Sequence, residues 1–263
     1  MGVLNVTPDS FSDGGQFFEE EAAAKQGERM AAEGAQIIDV GGESTRPGAD
    51  ALGEAEELRR VLPVIEQLRS AKITTRISID TAKAEVAGRA LEAGAQIIND
   101  ITGGRGDPRM MPLAAERGAG FIIMHMQGTP RTMQTDPRYA DVVAEVRDFF
   151  RQQYERALEC GIDSMAIAFD PGIGFGKTSQ HNLELLRNLG ALRIFDRPLV
   201  VGVSRKSFLG KIIGSPEIAD RAAPTTALTA LLRERGANVI RVHDVKPNAA
   251  ALRTAEAVIA PTP

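Results

Sequence analysis

Residues 91–100 read LEAGAQIIND: a charged, helix-favouring end, then Gly94, then a short apolar run that stops at the polar pair Asn99-Asp100. A glycine after a helix supplies the left-handed terminator that other residues resist. The β-branched run behind it suits a strand of a parallel sheet buried on both faces. The same design recurs in AAEGAQIIDV (31–40), AERGAGFIIMH (115–125), LECGIDSMAIAFD (158–170) and RERGANVIRVH (233–243). Their glycines are Gly34, Gly118, Gly161 and Gly236. Three more apolar runs complete a set of eight: GVLNV at the start, RISID ending at Asp80, and PLVVGVS ending at Ser204. Eight units in 263 residues average about 33 residues each, the length of a βα repeat. The pattern predicts one α/β domain over residues 1–263, a closed (β/α)8 TIM barrel with its site at the C-terminal strand ends. An open doubly wound sheet is the rival arrangement. The tail from about 260 to 263 is expected to be disordered.

Local signals add detail. Asp107-Pro108 and Asp136-Pro137 read as helix N-cap and first-turn pairs, and Ser179 as the cap of the helix near HNLELL. Pro63, inside EELRRVLPVIEQL, is expected to kink or divide its helix.

Composition narrows the class. The hydrophobic fraction is 43%, the charged fraction 25% and the net charge −4, without the basic cluster that a nucleic-acid partner requires. The single cysteine, Cys160, excludes an internal disulfide and suits a reducing compartment. No apolar run is long enough for a membrane span, and no signal peptide is recognisable. The expectation is a soluble, cytoplasmic protein with no membrane partner.

The strand ends carry the chemistry. They read Asn5, Asp39, Asp80, Asn99, His125, Asp170, the run Ser204-Arg205-Lys206, and Arg241 with His243. Fold stability alone does not need so many buried polar groups on one rim. Arg241 and His243, two apart on a strand, face the same way and suit an anion, which Arg46 also reaches. Asp80, Asn99 and Asp170 suit the N–H edge of a heterocycle. The implied ligand has a donor-rich ring and a phosphate-like tail. DPGIGFGKTS (170–179) is not a phosphate loop, since Pro171 stands where that motif needs glycine. The three histidines lack the short spacing of a zinc site.

Eight motifs, in matching order, resemble the dihydropteroate synthase family: NVTPDSFSDGG (5–15), DVGGESTRPG (39–48), SID (78–80), IIND (97–100), MHMQGTP (124–130), DPGIGFGK (170–177), GVSRKSFLG (202–210) and IRVHDV (240–245). The resemblance covers nearly the whole chain. It implies condensation of 6-hydroxymethyl-7,8-dihydropterin pyrophosphate with p-aminobenzoate to give 7,8-dihydropteroate and pyrophosphate, in an enzyme that sulfonamides target. It further implies that Asp80, Asn99, Met124, Asp170, Gly202 and Lys206 bind the pterin. Thr45, Arg46, Pro47, Phe175 and Ser204 would form the p-aminobenzoate pocket. Asn5, Arg46, Arg241 and His243 would hold pyrophosphate, with Asn5 offering an oxygen to Mg²⁺. Asp80, Lys206, Arg241 and His243 are the implied catalytic set, acting through early loss of pyrophosphate. The loop TPDSFSDGG (7–15) resembles a lid hinged at Gly14 and Gly15. The family also implies a homodimer through helices late in the barrel. Its members usually carry a further strand or hairpin before the counterpart of Met1, so strand 1 is expected to be less well anchored here. Two other functions share these motifs in part: a non-catalytic pterin-binding paralogue and a methyltetrahydrofolate-dependent methyltransferase.

Overall fold

The computed structural model describes residues 1–7, 16–44, 48 and 52–259. The lid hinges Gly14 and Gly15, the loop residues Thr45, Arg46 and Pro47, and the 260–263 tail lie outside the described residues. Strand β1 (Gly2–Asn5) is followed by α1 (Gln16–Ala32), β2 (Ile37–Gly41), α2 (Glu54–Ser70), β3 (Arg76–Asp80) and α3 (Ala84–Glu92). Next come β4 (Ile97–Asp100), α4 (Met110–Glu116), β5 (Gly120–Met124), α5 (Val142–Glu159), β6 (Ile167–Asp170) and α6 (Ser179–Arg187). The chain ends with β7 (Val200–Val201), α7 (Ser207–Ile213), α8 (Ala222–Glu234), β8 (Val239–Ile240) and α9 (Val245–Ile259).

All pairings are parallel. Strands β1 to β6 lie in sequence order in one ladder, and β7 pairs with β8. Two single bridges close the circle: Phe169 to Leu199 joins β6 to β7, and Gly2 to Val242 joins β8 back to β1. The Val3 amide donates to the Val242 carbonyl at 2.9 Å, and the Val242 amide to the Met1 carbonyl at 2.9 Å. Strand β1 is therefore bonded on both flanks, unlike the weak anchoring that the sequence suggests. The closed (β/α)8 barrel replaces the open-sheet alternative. β7 and β8 are shorter than their apolar runs; the Arg241 amide still donates to the Val201 carbonyl at 3.0 Å, while Ser204 and His243 stand beyond the last paired residues, on the rim.

The repeated glycines end helices as expected. Gly94 has φ +113°, and Gly34, Gly118, Gly161 and Gly236 also have positive φ. Two cap assignments differ. Helix α5 starts at Val142, capped by the Asp141 carboxylate, which accepts from the Val143 and Ala144 amides; Asp136-Pro137 lies in the preceding loop. Asp107 opens the turn into α4 as expected: its Oδ1 accepts from the Arg109 amide at 3.0 Å, just before the first α-helical residue, Met110. The same carboxylate also accepts from the first amide of α3, Ala84, at 3.0 Å. Thr178, one residue before Ser179, caps α6 through a reciprocal box in which the His181 ring accepts from the Thr178 amide. A histidine in that box hides the motif from a search for Glu or Gln. Pro63 sits within one continuous α2 and does not divide it. The buried face of that helix, Val61, Val64, Ile65 and Leu68, anchors both turns around the proline.

Strand alternation decides what the barrel holds. The outward set, including Leu4, Ile38, Val40, Ile77, Ile79, Ile98, Phe121, Ile123 and Phe169, packs under the helices as one continuous core. The inward set mixes polar or small residues, Asp39, Ser78, Asp80, Asn99, Gly120, Ala168 and Asp170, with Val3, Ile97, Ile122 and Met124. A separate apolar cluster of Ile101, Met124, Met126, Met133 and Phe175 walls the C-terminal mouth. The large core thus lies between strands and helices, which leaves the barrel axis available for polar side chains.

Candidate active site

The register carries the polar rim around the mouth. Gly41 pairs with Asp80, Asp80 with Asn99, Asn99 with Ile122, and Met124 with Asp170. Asp80 and Asn99 are thus level in the register, and Met124 and Asp170 lie one inward step further along β5 and β6. A buried cavity lies at this level, lined by Asp80, Asn99, Met124, Asp170, Gly202, Lys206, Phe175 and Arg241. All six residues expected at a pterin are in that list. Above it opens a cleft of about 510 Å³ that also reaches Asn5, Thr7, Ser204, Lys211, Arg221 and His243. Asn5, Arg241 and His243 therefore line one space, as expected of the anion end, and Phe175 and Ser204 line it too.

Arg241 enters the site already paired. Its Nε donates to Asp39 Oδ2 at 2.6 Å and its Nη2 to Asp80 Oδ2 at 2.6 Å. Asn99 Nδ2 donates to the same Asp39 oxygen at 3.0 Å. Asp39 is fully buried, and its Oδ1 has no hydrogen-bond partner among the described residues. Burial, helped by the nearby Asp39 charge, pushes the Asp80 carboxyl up to about 7 against the pull of Arg241. Burial opposes the Arg241 charge, but Asp39 and Asp80 hold its pKa above the ordinary arginine value. Asp39 carries no role in the sequence reading beyond its place on the rim. Its signal was its position: a carboxylate inside an apolar strand needs a buried partner.

Asp170, at the end of β6, bends back so that Oδ1 accepts from the Gly172 amide at 2.7 Å. Burial raises its pKa, opposed by that amide and by Arg241, Lys206 and Lys177. The Lys206 ammonium stands 4.1 Å from the Phe175 ring centroid, a cation–π contact. Burial and Arg241 lower it to about 8, against Asp170 and Asp80.

His243 is held by Ser204. The Ser204 hydroxyl oxygen accepts from the His243 amide at 3.1 Å and lies 3.0 Å from Nδ1. The hydroxyl has one proton and two acceptor lone pairs, so this contact holds the ring in place in either tautomer. Burial and Arg241 lower the ring's pKa to about 4, so His243 is a neutral N–H donor at pH 7.

The loop after β6 holds a group that the sequence reading gave no role. Lys177 is 2% exposed and closes the motif DPGIGFGK. His125, on the expected rim, is its partner, with Nδ1 2.9 Å from Nζ. Behind the second loop, Lys83 bonds Glu43 Oε2 at 2.5 Å and the buried Glu57 Oε2 at 2.6 Å. Glu43 Oε1 also accepts from the Leu52 amide at 3.0 Å.

The donor set suits binding of a ring with N–H donors below and of an anion above. The model of pterin-binding enzymes matches residues 1–243. A dihydropteroate synthase of Synechocystis is 46% identical over 258 residues, covering 98% of this chain and 89% of that protein. The structure of Xanthomonas albilineans dihydropteroate synthase with 4-aminobenzoic acid superposes with a TM-score of 0.93 at 43% identity, covering 99% of this chain and 93% of the other. The Yersinia pestis dihydropteroate synthase in a sulfonamide drug complex gives 0.91 at 43% identity, over 98% and 92% of the two chains. With the barrel, the polar mouth and near-complete coverage in agreement, the chain belongs to the dihydropteroate synthase family of pterin-binding enzymes.

Proposed function

We propose that this chain joins 6-hydroxymethyl-7,8-dihydropterin pyrophosphate to p-aminobenzoate, releasing pyrophosphate and 7,8-dihydropteroate in folate synthesis. One observation carries the reading: a buried cavity with a carboxylate and an amide, Asp170 and Asn99, opens directly into a cleft lined by Asn5, Arg241 and His243. Asp170 and Asn99 bind the amino-pyrimidine edge, with Met124 and Gly202 against the ring and Lys206 over it. The arylamine lies between Phe175 and Ser204. Sulfonamides bind in the same place.

The nucleophile is a neutral arylamine, so no base has to create it. The difficulty is departure of pyrophosphate. His243 and the outer donors of Arg241 stabilise charge as it grows on that group. Asp80, kept near Arg241, offsets positive charge spreading into the ring, and the low-dielectric cavity strengthens the effect. Mg²⁺ fits the anion end: Asn5 supplies a hard oxygen at the cleft, and Mg²⁺ usually takes only one or two protein ligands beside phosphates. When bound, the ion neutralises departing pyrophosphate.

The chain works as one cytoplasmic domain, a reading supported by its lone Cys160. Among the described residues no helix is long and apolar enough to cross a membrane. A homodimer is proposed on the exposed apolar side chains Ile212, Ile213, Leu231 and Val258 of α7, α8 and α9, and light scattering tests it. The test of function is pyrophosphate release with Mg²⁺, with and without p-aminobenzoate. Release that requires p-aminobenzoate and yields dihydropteroate is expected. Tight pterin binding without release overturns the reading in favour of a binding paralogue.

A further inference from the structure

Lys177 is the most buried ammonium in the site, 2% exposed at the edge of the cleft. Its three N–H donors meet three acceptors: His125 Nδ1 at 2.9 Å, the Phe175 carbonyl at 3.0 Å and the His125 carbonyl at 3.3 Å. An ammonium has three donors and no more, so its hydrogen-bonding capacity is used up within the protein. His125 takes the matching state, since an Nδ1 that accepts leaves the proton on Nε2. Burial and the nearby Lys177 keep that ring far below its ordinary pKa.

The lysine pins a loop with little freedom to find its shape otherwise. Gly172 has φ +63°, and a Cβ there would stand 1.9 Å from the His125 carbonyl oxygen. The Phe175 amide donates to the Gly172 carbonyl at 3.0 Å. Asp170 and Phe175, on either side of Gly172, form the floor and one wall of the ring cavity. Lys177 grips that loop from behind at the Phe175 carbonyl, while the Phe175 ring faces Lys206 in front.

Charge supplies the second half of the argument. Asp170 is faced by Arg241 from beyond β8, Lys206 from beyond β7 and Lys177 from its own loop, with Asp80 of β3 across the cavity. Arg241 is committed to Asp39 and Asp80. Lys206 lies where substrate enters. Among the described residues Lys177 makes no ion pair, and burial lowers its ammonium to about 7 against the pull of Asp170, so it carries its charge on the acid side of neutrality.

We propose that Lys177 is the positioning residue of the ring site: it fixes the Asp170–Phe175 loop against His125 and places its ammonium charge behind Asp170. The inference rests on the reading of this cavity as a pterin site. Lys177 contacts no substrate in this account, and its effect passes through Asp170.

The test measures the affinity of 6-hydroxymethylpterin for the full chain from pH 5 to 8. It compares wild type with Lys177→Met, Lys177→Gln and Lys177→Arg, and melting curves identify folded variants. Wild type should lose affinity toward acid, and because burial lifts Asp80 in the same cavity to about 7, the limb due to Asp170 is the one that disappears in Asp170→Asn. An opposite charge lowers a carboxyl pKa by about 1–3 units. Without Lys177 the acid limb should therefore move up by about one pH unit, with affinity at pH 5 falling about tenfold. Lys177→Gln retains amide donors and covers the case in which Lys177→Met fails to fold. Lys177→Arg should restore the wild-type limb. An unmoved limb in a folded Met or Gln variant overturns the proposal, as does an Arg variant that behaves like Gln. If wild type binds no pterin at any pH, the pterin-site reading itself falls.

Discussion

Replacing Arg241 with methionine tests the electrostatic centre of the site. The guanidinium makes two 2.6 Å ion pairs, one to fully buried Asp39 and one to nearly buried Asp80. Methionine retains most of the side-chain volume and removes all the charge. Asp39 would keep only the Asn99 amide on Oδ2, with Oδ1 already unpartnered among the described residues. Removing one partner of a buried pair costs about 3–5 kcal/mol. A domain of this size loses about 2–4 °C in Tm per kcal/mol, so Arg241→Met should melt about 6–20 °C lower at pH 7. Proton uptake relieves part of that cost, because burial already lifts Asp80 to about 7. Without Arg241 this pKa rises further, so the variant binds more protons when folded than wild type does. Its stability must then fall more steeply as pH rises, and its deficit should narrow at pH 5 and widen at pH 8. The assay is a double-mutant cycle in urea with Asp39→Asn, which removes one stranded carboxylate. The double variant should be more stable than Arg241→Met alone, with a coupling of about 2 kcal/mol or more. A melting point within 1 °C of wild type, or additivity within about 0.5 kcal/mol, refutes the account of Arg241 as the buried counter-ion of two carboxylates.

Three further perturbations probe other parts of the mouth. Asp170→Asn should weaken 6-hydroxymethylpterin about 10–100-fold, the loss of a charged hydrogen bond; unchanged affinity in a titration would remove Asp170 from ring recognition. His243 has a folded pKa near 4 against about 6.5 unfolded, so the unfolded chain binds the extra proton between these values and stability falls as pH drops through that window. His243→Asn should flatten this slope, sparing about 2–3 kcal/mol by pH 4 after allowance for partial exposure; parallel urea-midpoint profiles for the two chains would contradict it. Gly172→Ala should cost about 2–5 kcal/mol, because φ is +63° and the His125 carbonyl blocks the new methyl. Gly118→Ala, with φ +58° and nothing within 4 Å, should cost only about 1–2 kcal/mol in the same denaturation assay.

Much of this was legible in the chain before folding. Gly34, Gly94, Gly118, Gly161 and Gly236 mark helix ends because only glycine takes left-handed φ without penalty. The short β-branched runs behind them are strands because a parallel sheet covered on both faces excludes polar residues outside the barrel. Those two local rules set the repeat, and the repeat set the barrel. The polar strand ends followed, since register with period two turns Asp80, Asn99 and Asp170 to one face. Helix caps were less legible. Asp141 and Thr178 displaced the Asp136 and Ser179 candidates because a cap depends on where packing starts the helix, while Asp107 opens the turn into α4 and also reaches the first amide of α3.

Tertiary structure alone decided which polar groups meet. Asp39 and Arg241 are separated by 202 residues, and only closure of β8 onto β1 makes them an ion pair. His125 and Lys177 lie on different units, joined because Gly172 lets the loop press against the end of β5. Whether a carboxyl holds its proton, or a lysine its charge, is set by burial and by neighbours far apart in the chain. Sequence by itself determined the strands, their order and the residue types at the mouth, because those depend on local propensity and periodicity. The pairing, tautomer and charge of each site residue were decided by the closed barrel, because electrostatics act through space rather than along the chain.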